Sequence, residues 1–234
     1  MNEPLHITLS GEEVPVRVRR SGRAKRMILR ICDISKEVKL TLPKRASLRA
    51  ARKFMEKHTS WLEDARAALP TAPLVMDGTF FSFRGVPHRL EFTDMSPRKV
   101  TQGDGVITVG GPRDMAPKRL MSWLKSEARA QLRRCADHHA EALGITFDRL
   151  AIGDMRSRWG SCSSARTLKF NWRLIMAADE VLDYVVAHEV AHLLEMNHSP
   201  RFWAHVGQLR PDYKIQRKRL KGAEGQALMA VRFE

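Results

Sequence analysis

The sequence predicts an α+β protein: a basic, β-rich lobe over residues 1–112, a mainly helical lobe with a small sheet over 113–221, and a peripheral tail over 222–234. Three observations carry this. Apolar residues alternate with polar ones through 14–42 and again through 79–109; the pattern changes to long helical spacing after Gly110-Gly111-Pro112; and the stretch from His188 to His198 reads as a metal site at a helix end. At 234 residues and 43% hydrophobic content the chain can bury a full core.

In the first lobe Val14, Val16 and Val18 alternate with arginines, the spacing of a half-buried strand, and 27–31 and 38–42 repeat it, with Ser21-Gly22 as a turn. Pro43 ends this meander. Ser47 is placed to cap a helix running to about residue 69, with Leu48, Ala51, Phe54, Met55, Trp61, Leu62 and Ala65 on its apolar side, before Pro70 and Pro73 stop it. From Gly78 the period returns to two over 79–83, 88–92 and 106–109, with Gly85, Gly103 and Gly105 as turns.

Pro117 opens a helix expected to run to Leu143, with Gly144 as its stop and Leu120, Trp123, Leu124, Leu132, Cys135 and Leu143 as its inner stripe. His138 and His139 point roughly 100° apart on it, which suits satisfied or exposed side chains better than a shared ligand role. Residues 150–152 and 168–172 read as strands flanking the loop 156–164. The next helix begins near Asp179-Glu180, whose charge favours a helix start, and carries Val181, Leu182, Val185, Val186, Ala191 and Leu194. Another from Ser199 carries Phe202, Trp203, Val206 and Leu209, with His205 in a supporting place. Beyond the basic run 214–221 the pattern fades.

His188 and His192 are four apart, so both imidazoles can meet one ion from one helix face. Glu189 lies beside them, where its carboxylate can act as a general base on a water held by that ion. In an unbroken helix His198 would stand about 15 Å further along the axis. The chain must therefore leave the helix between Leu194 and Asn197, with Asn197 expected in the left-handed conformation and Ser199-Pro200 starting the next helix. Three protein ligands with an open position is the pattern of catalytic zinc. Glu195, on the His188 face, is the alternative ligand.

Arg158-Trp159-Gly160-Ser161-Cys162, Asn171, Leu174, His188-Glu189-x-x-His192, Asn197-His198-Ser199 and Phe202-Trp203 together resemble the YgjP-like metallopeptidase family, whose core is similar to that of the SprT-like zincins. The resemblance is strong over 123–206 and weaker over the basic N-terminal part. It implies a zinc-dependent peptidase with His188, His192 and His198 as ligands and Glu189 as catalytic base. It also implies a cleft wall formed by the strands around the loop 156–164, with the strand edge near 168–172 holding an extended polypeptide. Arg156, Arg158, Trp159 and Asn171 are the candidate substrate contacts, with Asp154 as an alternative partner for either arginine. Cys162 is not needed as a nucleophile where an ion activates water.

The net charge of +15 is uneven: residues 17–53 hold fourteen Lys/Arg against Asp33 and Glu37, a net of +12. Such a lobe could steer nucleic acid, a nucleotide or an acidic substrate, or serve as a solvated face, since no aromatic residues interleave with Arg17 to Arg30. The rival functions are thus a metal-dependent nucleotide phosphohydrolase and a non-catalytic nucleic-acid binder with structural zinc. An intact Glu189 speaks against the last. Cys32, Cys135 and Cys162 have neither disulfide nor C-x-x-C spacing, no segment resembles a leader, and no apolar run could span a membrane, so the expectation is a cytoplasmic protein.

Overall fold

A computed structural model describes residues 5–31, 37–67, 75–155 and 157–233, so Arg156 and Cys32 lie outside the described residues. The fold is α+β. Contacts divide the chain into two compact units, 1–72 and 73–234. That division precedes the change of periodicity at Gly110-Pro112, because the strands of 80–110 share one core with the helices that follow them.

In the first unit β1 (Leu5–Leu9), β2 (Glu12–Ser21), β3 (Ile28–Ile31) and β4 (Val38–Pro43) form a sheet in the order β1-β2-β4-β3. β2 and β4 run parallel, with Val16 opposite Val38, and the outer strands are antiparallel to them. Strand β1 was not anticipated, although Leu5, Ile7 and Leu9 alternate and are all buried. Ser47 caps as expected, its Oγ accepting from the Ala50 N–H at 3.1 Å. The single helix expected to follow is two, α1 (Leu48–Glu56) and α2 (Thr59–Ala67). The side chains at the break take the freed carbonyls: Thr59 Oγ1 donates to the Glu56 carbonyl at 2.9 Å, and His58 Nδ1 meets the Phe54 carbonyl at 2.7 Å. The break turns the apolar stripe, burying Ala51, Met55 and Leu62 and leaving Leu48 and Trp61 exposed.

The second unit opens with the same strand path. β5 (Phe80–Phe83), β6 (Val86–Thr93), β7 (Val100–Gly103) and β8 (Val106–Gly110) lie in the order β5-β6-β8-β7, with β6 and β8 parallel and Leu90 opposite Ile107. The β5–β6 turn uses Arg84 and Gly85, both at positive φ, and its tip grips the chain leading into the site helix. The Arg84 and Gly85 N–H groups donate to the Ile175 and Met176 carbonyls at 2.8 and 3.2 Å, and a Cβ at Gly85 would come within 2.7 Å of Ala178 Cα.

Helix α3 (Ala116–Ala142) buries Leu120, Leu124, Ala128, Leu132 and Ala136 along one stripe and ends at Gly144, whose φ is +64°. His139 is buried and its Nε2 meets Asp183 Oδ1 at 2.8 Å, a satisfied histidine rather than a ligand. A second sheet has the order β10-β11-β9, from β9 (Arg149–Gly153), β10 (Gly160–Cys162) and β11 (Thr167–Asn171). β11 lies parallel to β9 and antiparallel to β10. This corrects the expected exposed edge at 168–172: β11 is the central strand, and β10, expected as loop, is an edge.

The site helix α4 (Asp179–Ala191) is followed by α5 (Pro200–Leu209), α6 (Tyr213–Lys221) and α7 (Ala223–Ala230). The segment after Gly222, expected to be peripheral, buries Leu228, Ala230 and Val231, and Phe233 packs edge-on to Trp172 at 5.5 Å.

Candidate metal centre

Helix α4 is apolar on nearly every side: Val181, Leu182, Val186, Ala187, Val190 and Ala191 have no exposed surface. A helix so enclosed is fixed in rotation and height, and so are the imidazoles it carries. Asp183 fixes it further, accepting from Arg210 Nη1 at 2.7 Å with its second oxygen.

The helix ends at His192, earlier than expected, and by a different device. The Leu193 and Leu194 N–H groups donate to the Val190 and Ala191 carbonyls, three residues back, at 3.0 and 3.1 Å. This tightened turn leaves the helix axis without any left-handed residue. Asn197 is not at positive φ; its Oδ1 accepts from the Ser199 N–H at 2.9 Å, and Ser199 Oγ accepts from the Phe202 N–H at 3.3 Å to start α5.

That path returns His198 to the helix. Ligand atoms of His188, His192 and His198 lie within 4.8 Å of one another, and the Nε2 atoms of His188 and His198 are 3.2 Å apart. Two imidazole nitrogens at that distance, in a tetrahedral site with metal–nitrogen bonds of about 2.0–2.1 Å, match the roughly 3.3 Å separation the ligands of one ion require. His192 Nδ1 sits 2.9 Å from the Glu195 carbonyl; donating there, it leaves the Nε2 lone pair free. Glu195 therefore serves through its backbone, and its carboxylate is not in the cluster. His188 Nδ1 is buried without a partner among the described residues. Burial, reinforced by His192, His198 and Arg217, lowers the His188 pKa to about 3, keeping the ring in the neutral form that ligates. The donor set fits a divalent ion.

Aromatic rings hold the imidazoles. Phe202, fully buried, stacks on His192 at 4.4 Å and lies 4.8 Å from both His188 and His198. Trp203 stacks on His198 and Tyr213 on Trp203. The spacing of Phe202 and Trp203 predicts core residues; coming directly after the Ser199 cap, they also face the three histidines.

Glu189 is 6% exposed and lies against β10. Burial raises its pKa to about 7, opposed by the Arg158 charge and a hydrogen bond from the Cys162 N–H. The Cys162 thiol is pushed up to about 11 by burial and by Glu189, so it is protonated at neutral pH and is no nucleophile.

A cleft of about 630 Å³ opens over these groups, lined by Arg158, Trp159 and Gly160 on one side and by Tyr184, Trp203, Arg217 and Lys221 on others. Of the candidate substrate contacts, Arg158 and Trp159 line this cleft. Asn171 does not: it is fully buried, its Nδ2 donating to the Met155 carbonyl at 2.7 Å and its Oδ1 accepting from the Arg173 N–H at 3.1 Å. The arginine that pairs with Asp154 is Arg173, which is buried and stacked over Trp172, so it is also no source of charge for the cleft. Tyr184, Arg217 and Lys221 were missed as lining residues.

A helix carrying a histidine cluster that could hold a metal ion, beside a buried carboxylate and an open cleft, is the arrangement expected of a metal-dependent hydrolase. The profile of the YgjP-like metallopeptidase domain matches residues 25–223, and the chain belongs to that family. No curated protein matches the chain. Among solved structures, the crystal structure of the metallopeptidase zymogen of Pyrococcus abyssi abylysin is similar at 22% identity and a TM-score of 0.36, covering 38% of this chain and 90% of that one. Among the described residues no helix is long and apolar enough to cross a membrane.

Proposed function

We propose that the protein is a zinc-dependent peptidase in which His188, His192 and His198 hold the ion and Glu189 is the catalytic base. The observation that carries this reading is the pairing of three converging imidazoles with a buried carboxylate that a purely structural site would not need. Bound zinc would supply Lewis acidity, polarising the scissile carbonyl and bringing the pKa of a water to about 7. Glu189 takes a proton from the water on a carboxylate oxygen and delivers it to the leaving amine. The outer edge of β10 is suited to an extended polypeptide, its main-chain groups pairing with the substrate while Arg158 and Trp159 flank it.

A second reading, a metal-dependent nucleotide phosphohydrolase, is favoured by one observation: Arg158, Arg217 and Lys221 line the cleft. The two are separated by assaying wild type and Glu189→Gln on unfolded protein and on nucleoside triphosphates, then repeating both with Arg156→Ala and Arg158→Ala. The expected result is proteolysis that needs Glu189 and survives loss of either arginine. Triphosphate turnover that needs Glu189 and an arginine, without proteolysis, gives the site to the rival.

A further inference from the structure

The cations on and just before α6 differ in what they face. Arg219 is paired with Glu224 at 2.8 Å, and the preceding Arg210 with Asp183 and Asp212. Arg217 and Lys221 have no carboxylate partner among the described residues, and both line the cleft. They stand four apart on one helix face, where like charges repel. Arg158 reaches the same cleft from the loop before β10, where its charge acts on the buried Glu189 without a direct ion pair among the described residues. The only acid among the lining residues is Glu189, which is buried. A bound metal ion would add to the positive charge, so the charge of the cleft complements an anionic group.

Resting on the peptidase reading, we propose that Arg158, Arg217 and Lys221 form an anion subsite that selects polypeptides with an acidic side chain close to the scissile bond. The distance follows from the rings. Arg217 Cζ lies 4.8 Å from the Trp203 ring, and that ring is 5.8 Å from His188. An extended peptide advances about 3.3 Å per residue, so a carboxylate meeting Arg217 belongs within about three residues of the bond at the metal. Stacked on Trp203, the guanidinium is held in place before substrate arrives, which lowers the entropy lost in binding.

The test uses the full-length Glu189→Gln protein, which binds without cleaving, and three fluorescent peptides alike except for Glu, Gln or Lys at the positions flanking the bond. Kd is read by anisotropy. The Glu peptide is expected to bind at least roughly tenfold tighter than the Lys peptide, with the contrast shrinking at high salt because the cations are exposed. Adding Arg217→Gln and Lys221→Gln should abolish the contrast and Arg217→Glu with Lys221→Glu should invert it, whereas Lys214→Ala with Lys218→Ala, removing equal charge outside the cleft, should leave it. Equal binding of the three peptides, or a contrast indifferent to both cleft variants, overturns the subsite while leaving the peptidase reading intact. Failure of every peptide to bind, with no cleavage by the wild type, overturns both.

Discussion

Gly160 presses directly on Glu189: a Cβ at Gly160 would come within 2.6 Å of both Cγ and Oε1 of that carboxylate. The edge strand and the site helix meet there without room for a methyl group, and the contact fixes where the carboxylate sits. Gly160→Ala should push the carboxylate aside and lower turnover by roughly a hundredfold, as misplacement by about 1 Å can, while metal content stays at the wild-type level. Kinetics paired with metal analysis checks this; unchanged turnover would mean the carboxylate position is not critical.

Glu189→Gln keeps the shape but removes the proposed proton acceptor. Hydrolysis should fall by about 10²–10⁴-fold with metal content and melting temperature preserved, because general-base assistance is of that size. Single-turnover assays on an unfolded protein would measure it, and activity equal to wild type would remove Glu189 from the mechanism.

The three imidazoles converge, and on the proposed reading they hold one ion, so His198→Ala should lower metal affinity as much as His188→Ala does, despite coming from the loop rather than the helix. Competition with a chromophoric chelator gives the affinities. Full retention by His198→Ala would require another third ligand.

Asp183 links stability to pH. Burial pushes its pKa upward, but hydrogen bonding and charge from His139 and Arg210 outweigh it and hold the carboxyl below its ordinary 3.8. A carboxylate with a depressed folded-state pKa contributes stability above its ordinary value, and that contribution is lost as pH falls through the depressed one. Asp183→Asn should therefore cost about 1–3 kcal/mol near pH 6.5, with the difference from wild type narrowing below pH 3.8. Urea unfolding at both ends of that range tests the sign.

Much of the fold and the histidine cluster could be read from local signals. The caps Ser47 and Ser199, the stop at Gly144 and the alternation in β2, β4, β6 and β8 depend on neighbouring residues alone, and so does the placing of His188 and His192. What escaped depends on distant partners. β11 is central because β9 and β10 flank it, an order no spacing encodes, and Asn171 is buried by the same packing. Arg217 and Lys221 read only as part of a basic run because their place in the cleft is set by how α6 packs on α4. The break after Glu56 was hidden because helical periodicity continues across it while His58 and Thr59 take the carbonyls.

The connection from His192 to His198 works as a ruler. Its first bonds tighten the chain out of α4, its middle supplies the carbonyl facing His192, and its end is fixed by the Asn197 and Ser199 side chains that launch α5. Each residue between the two histidines thus has a length to keep as well as a contact to make. Substitutions along it that preserve these bonds are compatible with the centre, whereas one added or deleted residue would shift His198 relative to the helical pair. Spacing, more than side-chain identity, is what this segment must conserve for the histidines to meet.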